Sequence, residues 1–322
     1  MRMLIRKTGL VLAAVFLFSA IAGMGSAANF PTKRLNMTIL FGAGAGADIV
    51  GRKLSDLASQ ELGQTIIASN RVGGGGAVGY QFLLGTPKDG YNILWNSTSI
   101  NVVYHQGNMK QDYSAFAGVA NITQEMSALA VAADAKWKTI EEFIQYAKDH
   151  PGQVTVANSG IGSFNHLIAA ALEGEFGVKF KHIPLNSNES TTALLGGKVD
   201  AVVNMAFDLI QQQNAGSMKT LIVVGDQRLD KLPDVPTTVE LGYKLNLTMW
   251  RGIVVPAGTP ADVIAVLEKA FIAAAQKPEF KEFAVNYGVV IDVRGAKEFD
   301  ALMAESDVVV ADIMEGLGIK KQ

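Results

Sequence analysis

The sequence contains no cysteine. That excludes disulfides, thiol nucleophiles and cysteine-based zinc sites together, and leaves the redox compartment open. Proline is scarce at 9 residues, and charged residues make up only 18% of the 322. Neither sign dominates: 28 Lys and Arg stand against 30 Asp and Glu, a formal net charge of −2. Without a basic excess there is nothing to neutralise a phosphate backbone, so nucleic acid is not an expected partner. What the chain has in quantity is apolar residues, at 49%, and glycine, at 33 residues. The apolar fraction excludes a disordered chain, and the length allows one large domain or two medium ones. The glycines cluster without a repeat, which excludes collagen-like and low-complexity architectures.

The one long apolar run lies at the N-terminus. Arg2, Arg6 and Lys7 form a basic start, residues 10–21 are apolar, and Gly25, Ser26, Ala27 and Ala28 are small. This is the three-part layout of a secretory signal peptide over residues 1–28, with cleavage near Ala28. The run falls short of the roughly 20 residues that span a bilayer. Cleavage removes three of the 28 basic residues and none of the 30 acidic ones, leaving 25 against 30 and a net charge of −5. The expectation is an exported, mildly acidic, soluble protein.

The remaining chain alternates strands and helices. Residues 35–41 read as a strand running into a glycine loop at 42–47. A helix follows over about 48–62, with Val50, Leu54, Leu57 and Ala58 on one face and Gly63 as its stop. Residues 65–68 make a second strand, the run Gly73-Gly74-Gly75-Gly76 a second glycine loop, and residues 91–95 a third strand. The pattern restarts after Asn121, with strands at 128–132 and 154–157. Between them Thr139 and Glu142 form a capping box for a helix carrying Ile140, Phe143, Ile144 and Ala147 inward. A third glycine loop, 158–163, precedes a helix starting near Phe164. Further strands are expected at 199–205 and 220–224, and a late helix after Thr259-Pro260. Such alternation points to an α/β fold with largely parallel sheets. Two successive series without a Pro- or Ser-rich linker point to two close lobes joined by crossover strands. The expected division is 29–124 plus 250–322 for the first lobe and 125–249 for the second.

The glycine loops carry the functional signal. Gly42, Gly44 and Ala47 formally fit the dinucleotide fingerprint G-x-G-x-x-G/A, but the second strand ends Ser69-Asn70-Arg71 where that motif needs an acidic residue. No Gly-Lys-Ser/Thr follows to make a P-loop. The physics of the loop remains: glycines let backbone N–H groups approach a ligand, and a helix N-terminus favours an anion. Two such loops, one per lobe, would clamp a carboxylate or phosphate without any arginine. The alternative, that they are simply tight strand-to-helix turns, stays open. Ser159 is not in a G-x-S-x-G elbow, because Ala157 and Ile161 hold the glycine positions. The histidines, His105, His150, His166 and His182, lack metal-ligand spacing. His150 reads as a helix-end residue and His182 as one leading out of a strand. No cofactor is expected.

At this point the chain resembles the substrate-binding proteins of tripartite tricarboxylate transporters, the Bug family. The resemblance is carried by Asp48-Ile49-Val50-Gly51-Arg52, Asn70-Arg71-Val72-Gly73-Gly74-Gly75-Gly76 and Pro87-Lys88-Asp89-Gly90-Tyr91. It continues in Ala147-Lys148-Asp149-His150-Pro151-Gly152, Ser159-Gly160-Ile161-Gly162-Ser163 and Leu195-Gly196-Gly197-Lys198-Val199-Asp200. Pro233-Asp234-Val235-Pro236-Thr237 and Pro256-Ala257-Gly258-Thr259-Pro260 complete it. The order and spacing of these segments span essentially the whole exported chain. The resemblance implies a two-lobed periplasmic binding protein fold of type II-like topology, each lobe a mostly parallel sheet flanked by helices. It implies a monomeric, non-enzymatic protein that closes on a small organic acid and delivers it to cognate membrane permease subunits. It also implies a carboxylate held largely by loop amides and ordered water. The chain departs from the family at Leu40, Ala45 and Ala47, and at Leu185-Asn186-Ser187, where a tyrosine, a lysine and a glycine are frequent.

The site residues expected on these grounds are Phe41, Gly42, Gly44, Ala45, Gly46, Ala47 and Asp48 from the first loop, and Ser159, Gly160, Gly162, Ser163 and His166 from the third. Asn96, Ser97 and Thr98 after the third strand, and Asn204 and Asp208 after a second-lobe strand, would add lining. Asp48 would accept a hydrogen bond from a ligand donor, or else only cap its helix. Two other roles fit the same residues: an exported hydrolase with an unrecognised Ser or Asp, or a solute sensor that presents its ligand to a membrane receptor.

Overall fold

The computed structural model describes residues 29–161 and 163–316. The expected signal peptide lies outside them. Eleven strands form two sheets. The first is built from β1 (Leu35–Ile39), β2 (Ile66–Asn70), β3 (Asn92–Ser97), β4 (Phe116–Glu125), β10 (Met249–Pro256) and β11 (Val290–Gly295), in the order β11-β4-β10-β3-β1-β2. The second contains β5 (Ser127–Ala132), β6 (Thr155–Asn158), β7 (Lys181–Pro184), β8 (Ala201–Met205) and β9 (Met218–Val223), in the order β7-β6-β8-β5-β9. At one end of each sheet three strands run parallel, and at the other the long strands pair antiparallel. This is an α/β architecture of two sheets with flanking helices, but the sheets are mixed where largely parallel ones were expected: β10 runs against both β3 and β4, and β5 against both β8 and β9.

The chain changes sheet twice. It leaves the first sheet at Glu125 and enters the second at Ser127, with Met126 alone between. It returns through residues 224–248 into β10, which pairs antiparallel with both β3 and β4. β10 is buried along its whole length. A central strand covered on both faces reads as a continuous apolar run, so a charged residue inside it needs a partner. Gly252 in β10 lies against the ring of Phe299, and a Cβ there would collide with that ring and with the Ala120 carbonyl.

Ten helices cover the sheets among the described residues: α1 (Gly46–Leu62), α2 (Ala77–Leu84), α3 (Ser99–His105), α4 (Ile140–Asp149), α5 (Phe164–Phe176), α6 (Ser187–Leu195), α7 (Ala206–Asn214), α8 (Ala261–Gln276), α9 (Pro278–Tyr287) and α10 (Ala296–Gly316). Their starts follow local chemistry. Thr139 caps α4 by accepting from the Glu142 amide at 3.3 Å, while the Glu142 carboxylate reaches back to the Lys138 amide, one residue earlier than a closed capping box. Ser163 caps α5, and Asn186 with Glu189 closes a full capping box on α6. Gly63 ends α1 in the left-handed region at φ 64°. His150 is the C-cap of α4, and His182 sits in β7. The C-terminal α10 packs on β4 and α3 of the first sheet. None of the described helices is long and apolar enough to cross a membrane.

Candidate functional site

The strand-to-helix turns of the two sheets converge between the lobes. The first lobe supplies Phe41, Ala45, Gly46 and Ala47, at the turn that opens α1. Opposite them stand Ser159, Ser163, Phe164 and Asn165, at the turn into α5, with Ser187 at the start of α6. Met205, Phe207 and Asp208 come from the β8–α7 junction, and Met249 and Arg251 from β10. Together they enclose a cavity of about 30 Å³, space for about a water molecule or two. An open groove of about 470 Å³ adjoins it and shares Phe41 and Ser159. Its other walls are Gly73 to Gly76 of the second glycine loop and Gly160, Ile161 and Leu185 of the second lobe.

Contact across the cavity is close. A Cβ on Gly46 would collide with the Phe207 ring and lie 2.6 Å from Asp208 Oδ1. Only glycine lets the α1 N-terminus meet α7 in this way. Behind the second-lobe wall, a polar chain holds the Ser159 hydroxyl. Asn165 Nδ2 donates to Ser159 Oγ at 2.7 Å, and Ser127 Oγ donates to Asn165 Oδ1 at 2.6 Å. Ser159 Oγ also meets Ser187 Oγ at 2.9 Å and Asn204 Oδ1 at 3.2 Å.

The charged groups sit at the base. Arg251 Nε donates to Glu125 Oε2 at 2.7 Å, and both side chains are buried. Thr123 Oγ1 donates to the other Glu125 oxygen at 3.2 Å. Burial pushes the Glu125 carboxyl up from its usual range, against the charge and hydrogen bond of Arg251. The Asp208 carboxyl is pushed up to about 7, first by burial and then by the Glu125 charge, while Arg251 and the Gly46 amide act the other way. The guanidinium carbon of Arg251 lies 5.8 Å from the Phe41 ring centroid.

Of the residues expected at the site, Phe41, Ala45, Gly46, Ala47, Ser159, Ser163 and Asp208 line the cavity, and Gly160 lines the groove. Asn204 stands behind Ser159 and orients it. Gly42 and Gly44 form the outer part of the first loop, where the Gly42 carbonyl accepts from the Ala45 amide at 3.2 Å. Gly162 lies outside the described residues. Asn96, Ser97 and Thr98 are in the interior of the first lobe instead: Asn96 Oδ1 accepts from the Tyr80 hydroxyl at 2.8 Å, and Thr98 Oγ1 accepts from the Trp250 amide at 3.1 Å. His166 turns toward His182, their rings edge-on at 5.2 Å. Burial, then the neighbouring His182, holds the His166 imidazole below its usual pKa against the Glu173 charge.

Asp48 also faces its own lobe. Its carboxylate accepts from the Gly44 amide at 3.0 Å, from Arg52 Nε at 2.8 Å and from Asn70 Nδ2 at 2.8 Å. Burial raises its pKa, but these hydrogen bonds and the Arg52 charge outweigh it and hold the carboxyl below the usual range. A carboxylate held in this way braces the first glycine loop against β2. Asp48 is among the lining residues of neither the cavity nor the groove.

The larger correction concerns arginine. The glycine loops contain none, yet β10 places Arg251 in the cavity wall. Phe164, Asn165, Ser187, Met205, Phe207 and Met249 were likewise not expected. A usable signal existed for Arg251: it is the single charge in the apolar run 249–256.

Residues 50–319 match the family described as tripartite tricarboxylate transporter family receptor. The chain belongs to that family. A Cupriavidus necator protein from the gbd 5′ region is 31% identical to this receptor over 99% of this chain and 98% of its own length. The structure of the periplasmic binding protein BugD superposes with a TM-score of 0.86 at 27% identity, covering 91% of this chain and 100% of that one. MatC from Rhodopseudomonas palustris with bound malate shares the fold at a TM-score of 0.83 and 23% identity, covering 88% and 99%. The receptor therefore has the two-lobed fold of periplasmic binding proteins.

Proposed function

We propose that this receptor works in the periplasm, where it captures a small organic carboxylate between its lobes and passes it to the membrane permease of a tripartite transporter. The observation that carries the reading is the interlobe cavity. The N-terminal turns of α1 and α5 meet there from opposite lobes, beside a buried guanidinium. Helix N-termini and a cation in a desolvated site favour an anion. Membership of a transporter receptor family supports the transport role, and the basic-apolar-small layout of residues 1–28 supports export. The malate bound by MatC is a property of that protein, and it supplies a first probe here. Residues 29–125 with 249–316, and residues 127–223, would act as two bodies hinged at Met126 and at 224–248.

The test is a native mass spectrum of the purified exported chain, followed by calorimetry with malate, hexanoate and benzoate. The expected result is a copurified small acid, or saturable 1:1 binding of at least one probe without turnover. A copurified neutral or cationic solute, or hydrolysis of an ester substrate, would refute the reading.

A further inference from the structure

The guanidinium at the base of the cavity is incompletely used. Arg251 is 3% exposed. Its Nε is spent on Glu125, but its Nη1 is buried with no hydrogen-bond partner among the described residues. A buried donor without an acceptor is rare, and rarer still on a full positive charge. The residue lines the interlobe cavity, so an acceptor arriving there would complete it. Glu125 does not relax the demand. It holds one edge of the fork and is itself held by Thr123, which leaves the guanidinium fixed with Nη1 still to be paired.

We propose that Arg251 is the specificity-determining anchor of this receptor, taking the oxyanion of the ligand's acid group on Nη1. The proposal rests on the carboxylate-capture reading and names the residue that reads the acid. It also narrows the ligand. Phe41, Met205, Phe207 and Met249 form the apolar side of the wall, a surface that matches hydrocarbon and, through the methionines, adapts to its shape, while Ser159, Ser163, Asn165, Ser187 and Asp208 form its polar side. The ligand expected is an organic acid whose acid group enters the cavity and whose apolar body extends into the adjoining groove, past Leu40, Ile161 and Leu185. A polyhydroxylated acid would leave each hydroxyl that meets the apolar side without a partner.

The test uses the full exported chain with malate, hexanoate and benzoate as probes, titrated by calorimetry at pH 6. Arg251→Met alone strands Glu125 in the interior, so it is paired with Glu125→Gln. Arg251→Lys is the second variant; it keeps a cation for Glu125 and loses the fork. Both are checked by thermal melting. Hexanoate or benzoate should bind the wild type more tightly than malate. Affinity should fall at least about tenfold in the Lys variant and more in the paired variant, the scale of a lost charge-assisted hydrogen bond. Acid binding retained within about threefold in either folded variant would overturn the anchor while leaving the carboxylate receptor intact. If the paired variant does not fold, the Lys variant decides alone. Tighter binding of malate than of both apolar acids would overturn the ligand class. A wild type that binds none of the three would overturn this proposal, and a copurified non-acid would overturn the receptor reading with it.

Discussion

Gly46 and Asp208 face each other across the interlobe cavity, close enough that a single added carbon on Gly46 would stand 2.6 Å from Asp208 Oδ1. One residue opens α1 of the first lobe and the other lies in the first turn of α7 in the second. The meeting of the lobes therefore depends on the absence of a side chain at one point.

Gly46→Val should act on closure without acting on folding. The valine would press on the Phe207 ring, which belongs to the other lobe, so each lobe keeps its own core. Small-angle scattering should show a larger radius of gyration than wild type, with no contraction when a binding acid is added. Acid affinity should drop at least about tenfold, equivalent to 1.4 kcal/mol. A variant that contracts like wild type would show that the lobes close without this contact.

Asp208 should make both binding and stability depend on pH near neutrality. The groups facing it are Glu125, Arg251, the Gly46 amide and, from α9, Tyr287. Its folded pKa of about 7 stands above the ordinary 3.8, so the folded state holds a proton that the unfolded state has released between those values. Stability should fall as pH rises from about 4 to about 7 and level off above. A ligand carboxylate beside Asp208 raises its pKa further, so affinity should be higher at pH 6 than at pH 8. Asp208→Asn should flatten the affinity profile and raise the melting temperature at pH 8 relative to wild type. An unchanged slope in the variant would place the titration elsewhere.

Asp48 should behave as a structural residue. Its carboxyl is held below the usual range, so the stability it contributes is present above pH 3.8 and lost as pH falls through its folded pKa. Asp48→Asn keeps an acceptor but loses the charge-assisted bond to Arg52. A loss of about 1–2 kcal/mol in urea unfolding is expected, with acid affinity within about twofold of wild type. A tenfold loss of affinity at unchanged stability would return Asp48 to the ligand.

Much of the architecture was legible because it is local. The glycine loop before α1, the Thr139 cap, the start of α5 at Phe164 and the Gly63 stop are each set by residues a few positions apart. The same holds for the loops that form the two walls, since a strand, a turn and a helix start are adjacent in sequence. Less legible were β11, whose residues are mostly half-buried, and α3, whose seven residues sit among buried strands and helices without a clear polar face.

The sequence by itself determined that two α/β series follow one another and that glycine loops open helices in both, because helix caps and hydrophobic periodicity act over one or two turns. It could not say which strands would lie side by side. Arg251 and Glu125 are 126 residues apart and become partners only because β10 runs antiparallel to β4. Asp208 joins them only because the second lobe closes on the first. Asn96 and Ser97 end β3 and Thr98 follows it, close to a strand end as the cavity-lining residues are, yet α10 and β10 cover Asn96 and Thr98. Tertiary structure decided these points. Burial and charge pairing between distant segments depend on sheet order and lobe contact, which leave no period in the chain.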